Sequence, residues 1–239
     1  MPTNKITGAA LLLALMFSQP AFSSDDMAGE HGGGIFHMFK LETDYGGGPS
    51  GRVFSWDFEG WIGGDVHKLW LKSEGDHADD KVHEAELWAL YSRNISTFWD
   101  AQIGVRHDVE PTTITYAVLG FDGLAPYFIE TEAHMFISGA GDVSARLRLE
   151  SDFLATQKLI FQPYVEIDLY AQDVPEREIG VGFTSGKVGL QTRYEFTRKF
   201  APYLDLRYDR KLGRTETLAR REGEDAGEFV AAIGLRLMF

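Results

Sequence analysis

The 239-residue chain contains no cysteine, which excludes disulfide bonds, thiolate metal sites and a lipid anchor attached to an amino-terminal cysteine. Basic residues are in the minority, 23 against 36 acidic ones, and the formal net charge is -13. Such a charge argues against nucleic acid as a partner, because nucleic-acid-binding proteins carry basic surfaces. It suits the binding of cations instead.

Long apolar runs are also missing. The most apolar run, Gly8 to Phe17, is well short of the ~20 residues that a membrane-spanning helix needs. It follows the single positive charge of Lys5, and small residues at Ala21 and Ser23 mark a cleavage site. This layout is typical of a secretory signal peptide over residues 1–23, with a membrane anchor as the weaker alternative. We therefore expect an exported protein.

Helical periodicity is scarce, whereas apolar and polar residues alternate along most of the chain. The carboxy-terminal stretch FVAAIGLRLMF places Phe229, Ile233, Leu237 and Phe239 on one side of an extended chain. The stretches VSARLRLESD, FQPYVEIDLY and YLDLRYDR repeat the pattern, with charges of both signs on the opposite side. A period of two predicts β-strands with one apolar face.

Such strands fit either a soluble β-sandwich or a transmembrane β-barrel. The barrel is favoured because the apolar face recurs on every strand of an exported chain, and because only closed barrels can present strands to lipid. Aromatic residues near the predicted strand ends fit the girdles of such barrels. These residues are Trp56, Trp61, Trp88, Trp99, Tyr127, Phe128, Phe200 and Tyr203. The expected fold class is all-β, an antiparallel transmembrane β-barrel.

The pattern predicts about twelve strands after a short flexible tail over residues 24–35, with residues 36–239 forming the barrel. The strands are predicted at 36–45, 52–62, 65–74, 81–93, 97–109, 112–121, 126–137, 142–154, 158–170, 186–196, 200–210 and 229–239. Ten strands are the alternative, if 112–121 and its neighbour are loops. We expect short periplasmic turns and longer outer loops, including GDHADD, QDVPEREIGVGFTS and LGRTETLARREGEDAGE.

The tail offers the first candidate metal ligands. The glycine-rich stretch MAGEHGGGIFHMF contains Met27, His31, His37 and Met38. Thioether and imidazole groups together suit copper, the thioether favouring the cuprous ion and the imidazole either oxidation state.

Two further groups of candidate ligands lie within the predicted barrel. His77, His83 and Glu84 fall in the acidic stretch EGDHADDKVHEAE, predicted as an outer loop, and a solvated acidic loop without metal is the alternative. Glu130, Glu132 and His134 share one face of a strand, so all three should point into the barrel interior. There His134 is either a cation ligand or a salt-bridge partner. Charged residues of both signs should pair across the interior, which would obstruct large solutes.

Several stretches resemble one protein family. They are WDFEGWIGGDVHKLWLKSEGD, EAELWALYSRNISTFWDAQIGVRHD, GLAPYFIE, TQKLIFQPYVEIDLYAQD and RYEFTRKFAPYL. In this order they closely resemble the copper resistance protein B family of Gram-negative outer membranes. The resemblance implies an outer-membrane barrel that binds or passes copper, usually encoded beside a periplasmic multicopper oxidase. Family members often carry a long tail rich in Met and His, and the short tail here argues against sequestration of copper on a large scale.

We therefore expect an outer-membrane barrel that contributes to copper resistance by binding copper or passing it across the membrane. Its expected partners are outer-membrane lipid, copper ions and a periplasmic multicopper oxidase, and a monomer is expected. A generic diffusion porin or structural barrel is the main alternative. A barrel hydrolase is disfavoured, because no serine has a plausible catalytic partner and hydrolysis needs a nucleophile, a base and an orienting group. We expect no enzymatic activity.

Overall fold

The computed structural model describes residues 34–48, 51–78 and 81–239. Met27, His31 and the signal peptide predicted over residues 1–23 lie outside these residues. Within the described part, thirteen strands form one antiparallel sheet that closes on itself. The strands are β1 (Phe36–Gly48), β2 (Gly51–Gly63), β3 (His67–Ala78), β4 (Lys81–Ser96), β5 (Trp99–Glu110), β6 (Ile114–Ala125), β7 (Ile129–Ser138), β8 (Val143–Glu150), β9 (Phe153–Leu154), β10 (Leu159–Tyr170), β11 (Gly182–Tyr194), β12 (Phe200–Lys211) and β13 (Gly227–Met238).

The short strand β9 continues the line of β8, since both pair with β10 one after the other. Together they fill one place in the ring, so the barrel has twelve places, as the alternation predicts. The ten-strand alternative is wrong, because β6 and β7 are both full strands and pair with each other.

The carboxy-terminal stripe closes the barrel. In β13, Leu237 lies opposite Leu41 of β1, and the backbone N–H of Phe239 donates to the carbonyl of Phe39 at 2.9 Å. Along β13, Ile233 is 71% exposed whereas Val230 is 2% exposed, so the alternation places one set of side chains outside and the other inside.

We call the end of the barrel that carries Phe36 and Met238 the terminal end, and the opposite end the loop end. Connections at the terminal end are short, as predicted, and span 64–66, 97–98, 126–128, 155–158 and 195–199. At the loop end only residues 171–181 and 212–226 form long connections. The asymmetry between the two ends is therefore confined to two of the six loop-end connections.

The prediction of an outer loop around His77 and His83 is wrong. Strand β3 continues to Ala78 and β4 begins at Lys81, so both histidines lie in paired strands. The two strands remain paired here: His77 lies opposite Val82, and the register shifts between Asp76 and His77. Backbone pairing extends beyond the point where the polar composition suggests a loop.

The connection over 212–226, predicted as a loop, contains the helix α1 (Gly213–Glu222). The helix ends at Gly223, whose φ of 84° is the left-handed conformation that glycine adopts readily. The hydroxyl of Thr215 in α1 accepts a hydrogen bond from the backbone N–H of Gly180 at 3.0 Å, which joins the two long connections. Among the described residues, no helix is long and apolar enough to cross a membrane.

The aromatic residues divide between the two faces of the barrel. Tyr127 and Phe128, in the turn between β6 and β7, are 90% and 78% exposed and fit a girdle at the terminal end. Trp88 and Tyr203 are each only 5% exposed, and Trp61 packs against the buried cluster. The assignment of these three to the outer girdle is wrong, because their places in the pleat turn them inward.

An apolar cluster lines the inner wall formed by β3 to β7. Its members are Trp70, Trp88, Leu90, Tyr116, Val118 and Phe136. Buried charged side chains such as Lys72, Glu86 and Arg106 lie on the same wall, and Arg106 packs over the rings of Trp88, Tyr116 and Phe136.

Candidate functional site

The charged side chains of the interior form a cross-barrel belt, which we define as Asp57, Lys72, Glu74, Glu86, Arg106, Arg146, Arg148 and Glu166. At its centre, the Glu74 carboxylate of β3 accepts from Arg146 Nη1 and Arg148 Nη2 of β8, each at 2.8 Å. Strands β3 and β8 lie five places apart in the twelve-place ring, so these ion pairs cross the interior. The prediction of ionic pairing across the interior is confirmed.

Further contacts fix the two arginines in place. Arg148 Nη2 lies 2.7 Å from Glu166 Oε2, and Arg146 Nη2 lies 3.2 Å from Glu86 Oε1. Glu86 Oε1 also lies 3.1 Å from Arg106 Nη2. These side chains are mostly buried, and an ion pair in such surroundings resists disruption because a single charge left behind would be poorly solvated. The belt therefore obstructs the middle of the barrel.

A second obstruction lies at the loop end. Arg177, from the connection between β10 and β11, donates to Tyr116 Oη at 2.6 Å and to Tyr170 Oη at 3.2 Å. Both tyrosines are buried on the inner wall. The connection over 171–181 is thus anchored inside the mouth of the barrel.

Between the belt and the terminal end lies a cavity of about 400 Å³. We call it the terminal cavity. Its charged lining is mainly acidic, with Lys68 and Arg148 as the two basic residues. Its carboxylates are Glu59, Asp100, Asp122, Glu130, Glu132 and Glu150. A cavity with this lining attracts cations and repels anions.

Three of these carboxylates have partners. Glu59 Oε1 lies 2.7 Å from Lys40 Nζ, Asp100 Oδ2 lies 2.7 Å from Lys68 Nζ, and Glu132 Oε2 lies 2.5 Å from Lys72 Nζ. These pairs neutralise part of the lining.

The other three, Asp122, Glu130 and Glu150, form no ion pair within 4.0 Å and no side-chain hydrogen bond with any residue that the structure describes. The register instead sets acidic groups against each other, because Glu130 of β7 lies opposite Glu150 of β8. Asp122 of β6 lies opposite Glu132 of β7. Like charges directly opposite on neighbouring strands are destabilising. Lys72, which contacts Glu132, offsets part of this cost beside Asp122.

The predicted tail ligands do not converge within the described residues. His37 and Met38 are neighbours on β1 and therefore point to opposite faces. His37 is exposed and lies beside Phe39, with ring centroids 6.0 Å apart, whereas Met38 lines the terminal cavity. The two side chains cannot hold one ion together on this strand.

His77, His83 and Glu84 lie near the loop end of β3 and β4. Glu84 Oε1 is 4.0 Å from Arg146 Nη2, on the loop-end side of the belt, and His83 is exposed. The structure does not bring either histidine to the terminal cavity.

The third predicted group faces the interior, as expected. Glu130 and Glu132 line the terminal cavity. His134 lies beside the belt, on the loop-end side of the cavity. Its Nε2 donates to Gln102 Oε1 at 2.7 Å, and its Nδ1 is 4.0 Å from Glu132 Oε2. Its ring also packs edge-on against Trp88, with centroids 5.3 Å apart. His134 is thus held by neighbouring side chains, and one of its nitrogens is already used.

Another acidic group lies on the exposed long connections at the loop end. Glu178, Glu222 and Glu224 bring one carboxylate oxygen each within 4.8 Å of the others, and they are the one such group of three among the described residues. Hydrogen bonding with Glu178 raises the pKa of Glu222 above its usual range. The cluster is separate from the terminal cavity.

Asp122 is not among the residues singled out from the sequence, and Glu150 is placed in the interior by the alternation but not among the candidate ligands. The missing signal is the register between neighbouring strands. The turn over 126–128 sets Asp122 opposite Glu132, and the turn between β7 and β8 sets Glu150 opposite Glu130. Alternation gives the face on which a side chain lies but not its height in the barrel.

The fold matches solved outer-membrane proteins. The KdgM porin superposes with a TM-score of 0.56 over 84% of this chain and 99% of its own, at 9% sequence identity. The NanC porin superposes with a TM-score of 0.56 over 82% of this chain and 98% of its own, at 12% identity. At these identities the likeness concerns the fold alone, a closed twelve-place barrel of the outer-membrane type.

Two relatives are much more similar in sequence. The Copper resistance protein B homolog of Pseudomonas syringae pv. tomato (strain ATCC BAA-871 / DC3000) is 40% identical over 190 residues, which are 79% of this chain and 65% of the relative. The Copper resistance protein B of Escherichia coli is 41% identical over 187 residues, which are 78% of this chain and 63% of the relative. The chain therefore spans slightly less than two thirds of the length of these relatives. The family model described as Copper resistance protein B precursor (CopB) matches residues 35–239, and the chain belongs to the copper resistance protein B family.

Proposed function

We propose that this protein is an outer-membrane barrel that contributes to copper resistance by binding copper ions in its interior and controlling their passage. The observation that carries the proposal is the terminal cavity, which is rich in carboxylates and lies beneath a closed belt of ion pairs. The cavity draws cations in from one end. The belt prevents them from diffusing freely to the other.

The belt favours controlled passage over a simple pore. Ions could move between the terminal cavity and the loop end only if the contacts of Glu74 with Arg146 and Arg148 separate. Removing a partner from such a mostly buried pair leaves an uncompensated charge, at a cost of about 3–5 kcal/mol. A bound cation near Glu74 would compete with the arginines for the carboxylate and so lower that cost.

The candidate ligands fall into three places along this route. Glu130 and Glu132 lie in the terminal cavity, with His134 above them. His77, His83 and Glu84 lie near the loop end. His37 and Met38 lie at the start of β1, and Met27 and His31 precede that strand in the sequence. We propose that these groups contact copper in transit rather than store it. In this proposal the protein acts as a monomer without catalysis, the terminal end faces the periplasm, and a periplasmic multicopper oxidase acts on the same copper there.

Growth in copper tests the proposed role. A strain lacking the gene should be more sensitive to copper, and expression of the full chain should restore its tolerance. The same strain carrying a chain with Asp122→Asn and Glu150→Gln should remain sensitive despite equal amounts of folded barrel in the outer membrane. Unchanged copper tolerance after deletion of the gene would refute the proposed function.

The alternative of a diffusion porin draws support from the fold shared with the KdgM and NanC porins. Conductance in planar lipid bilayers separates the two functions. The proposal predicts a small conductance that responds to copper, because the belt fills the middle of the barrel. A large, steady conductance that is indifferent to copper would establish the porin instead.

A further inference from the structure

We propose that one sector of the terminal end binds an anionic phospholipid, through three cations at the rim of the barrel and a row of aromatic side chains beside them. The inference concerns the outer surface of the barrel. It is independent of the proposed handling of copper in the interior.

The cations are confined to one part of the terminal end. Of the five short connections there, only 155–158 and 195–199 contain lysine or arginine. We call their three cations, all exposed, the basic rim: Lys158, Arg198 and Lys199. The two connections adjoin, because the backbone N–H of Glu195 donates to the carbonyl of Lys158 at 2.8 Å. The rim is therefore a local positive patch on a chain whose net charge is -13.

The basic rim has no counter-charge among the residues that the structure describes, since none of them forms an ion pair with it within 4.0 Å. The acidic side chains closest to it in sequence, Asp152 and Glu195, contact Arg193 instead. Glu195 Oε1 lies 3.5 Å from Arg193 Nε, and Asp152 contacts Nη2 of the same guanidinium. Arg193 is buried on the inner wall, so both carboxylates turn away from the membrane. An anion from outside the protein is the partner that fits.

Beside the basic rim lies an aromatic row, which we define as Tyr194, Phe196 and Phe200. The ring centroids of Tyr194 and Phe196 are 5.1 Å apart, and those of Phe196 and Phe200 are 6.1 Å apart. The three side chains are 42–58% exposed, so they pack on one another and still face outward. Phe200 lies opposite Leu237 of the outward apolar stripe. The row thus continues the lipid-facing surface up to the rim, where the glycerol and upper acyl chains of a lipid lie.

The geometry places the cations at the height of a headgroup. Arg198 and Lys199 form the tip of a hairpin that is closed by two backbone hydrogen bonds between Thr197 and Phe200, of 3.2 and 3.3 Å. Lys158 precedes β10, and β10 and β12 flank β11, so these strands are about 10 Å apart. A guanidinium binds phosphate through paired hydrogen bonds, and an ammonium adds a point charge.

Charge selects the class of lipid. In a zwitterionic phospholipid the ammonium group of the headgroup cancels the phosphate charge, whereas an anionic phospholipid keeps its negative charge for the basic rim. Each cation near an anionic membrane surface strengthens binding roughly fivefold. Because the contact is electrostatic, salt should weaken it.

Native mass spectrometry of the barrel in detergent micelles tests the site, with equal amounts of dioleoylphosphatidylglycerol, which is anionic, and dioleoylphosphatidylcholine, which is zwitterionic. The test variant combines Lys158→Gln, Arg198→Gln and Lys199→Gln. The control variant removes the same charge from exposed positions towards the loop end, through Arg52→Gln, Arg220→Gln and Arg221→Gln. The gel mobility of the folded barrel shows whether each variant folds.

We expect the unaltered chain and the control to retain phosphatidylglycerol about tenfold or more over phosphatidylcholine, and the test variant to retain the two lipids about equally. If the triple variant does not fold, Arg198→Gln alone should lower the preference roughly fivefold. Equal retention of both lipids by the unaltered chain would overturn the site, and so would an undiminished preference in the folded test variant. A dimer of the unaltered chain that the test variant lacks would assign the sector to a second copy of the protein instead of a lipid.

Discussion

At the scale of single residues, Glu74 occupies the central place in the belt. One carboxylate oxygen contacts Arg146 and the other contacts Arg148, so a single acidic side chain holds two guanidinium groups in position. These groups have little solvent to replace the carboxylate. The stability of the barrel and the closure of its interior therefore depend on the same contacts.

The substitution Glu74→Gln should destabilise the barrel by about 3 kcal/mol, because it leaves two mostly buried guanidinium groups without their shared counter-charge. Unfolding by denaturant in detergent micelles measures the change. Glu84→Gln is the matched control, since Glu84 is half exposed and lies 4.0 Å from Arg146, and it should cost less than about 1 kcal/mol. Equal effects of the two substitutions would show that Glu74 does not hold the belt together.

Gly120 makes room for the ring of His134 on the neighbouring strand. A Cβ atom at Gly120 would lie 2.3 Å from Cδ2 of His134 and 2.7 Å from the carbonyl oxygen of Ala133. Gly120→Ala should therefore displace the ring, break its hydrogen bond with Gln102 and destabilise the barrel by about 1–3 kcal/mol. Thermal unfolding measures the effect.

Gly139→Ala provides the control for this prediction, because no atom lies within 4 Å of the added Cβ. It should change the unfolding temperature little. An unchanged unfolding temperature for Gly120→Ala would show that the ring of His134 is not held where the structure places it.

At the scale of strands and connections, alternation predicts the barrel and its strands but not every boundary. The prediction is accurate where one face is apolar, as in β13, because lipid selects that face along the whole strand. It fails around His77 and His83, where the two strands stay paired although their residues are mostly polar. It fails for α1 because a ten-residue polar helix on a long connection carries little apolar periodicity.

The candidate site could be predicted only in part for a related reason. Alternation places Glu130, Glu132 and His134 on the inner face, and the structure agrees. Alternation also places Trp88 on the same face as Glu86, and Tyr203 on the same face as Asp205. The girdle assignment fails because it relies on residue type, and an aromatic residue suits both a lipid interface and a packed interior. Alternation cannot set Glu150 opposite Glu130, because that depends on the geometry of the turn between β7 and β8.

The outward face of β13 offers a test of membrane insertion. Ile233 lies in the middle of the strand and is 71% exposed. Ile233→Arg should destabilise the barrel in lipid vesicles by about 2–4 kcal/mol, because it places a charge near the bilayer midplane. Denaturant titration in vesicles measures the difference.

Ile95→Arg is the matched control, since Ile95 is 54% exposed but lies at the terminal end of β4, near the interface. A charge there should cost at most about 1 kcal/mol. Similar costs at the two positions would contradict the placement of β13 across the hydrocarbon core.

At the scale of the whole molecule, the interior is divided into a terminal cavity, a closed belt and a mouth held by Arg177. This order makes the barrel asymmetric, with an acidic chamber at one end and ordered connections at the other. The shared fold of porins does not by itself provide an open channel, because the side chains inside decide what passes.

Breaking the belt should open the barrel. Arg148→Ala removes the contacts with both Glu74 and Glu166, and the conductance of single barrels in planar bilayers should rise several-fold above that of the unaltered chain. Arg220→Ala, on the exposed face of α1, should leave the conductance unchanged. No increase with Arg148→Ala in a folded barrel would show that closure depends on the loop end instead.

The most direct test of the central claim is anomalous diffraction at the copper edge from crystals of the mature chain equilibrated with cupric ions. The account predicts an anomalous peak inside the terminal cavity, beside the carboxylates that line it. Ordered copper confined to other parts of the chain, or a cavity without copper at saturating concentration, would contradict it.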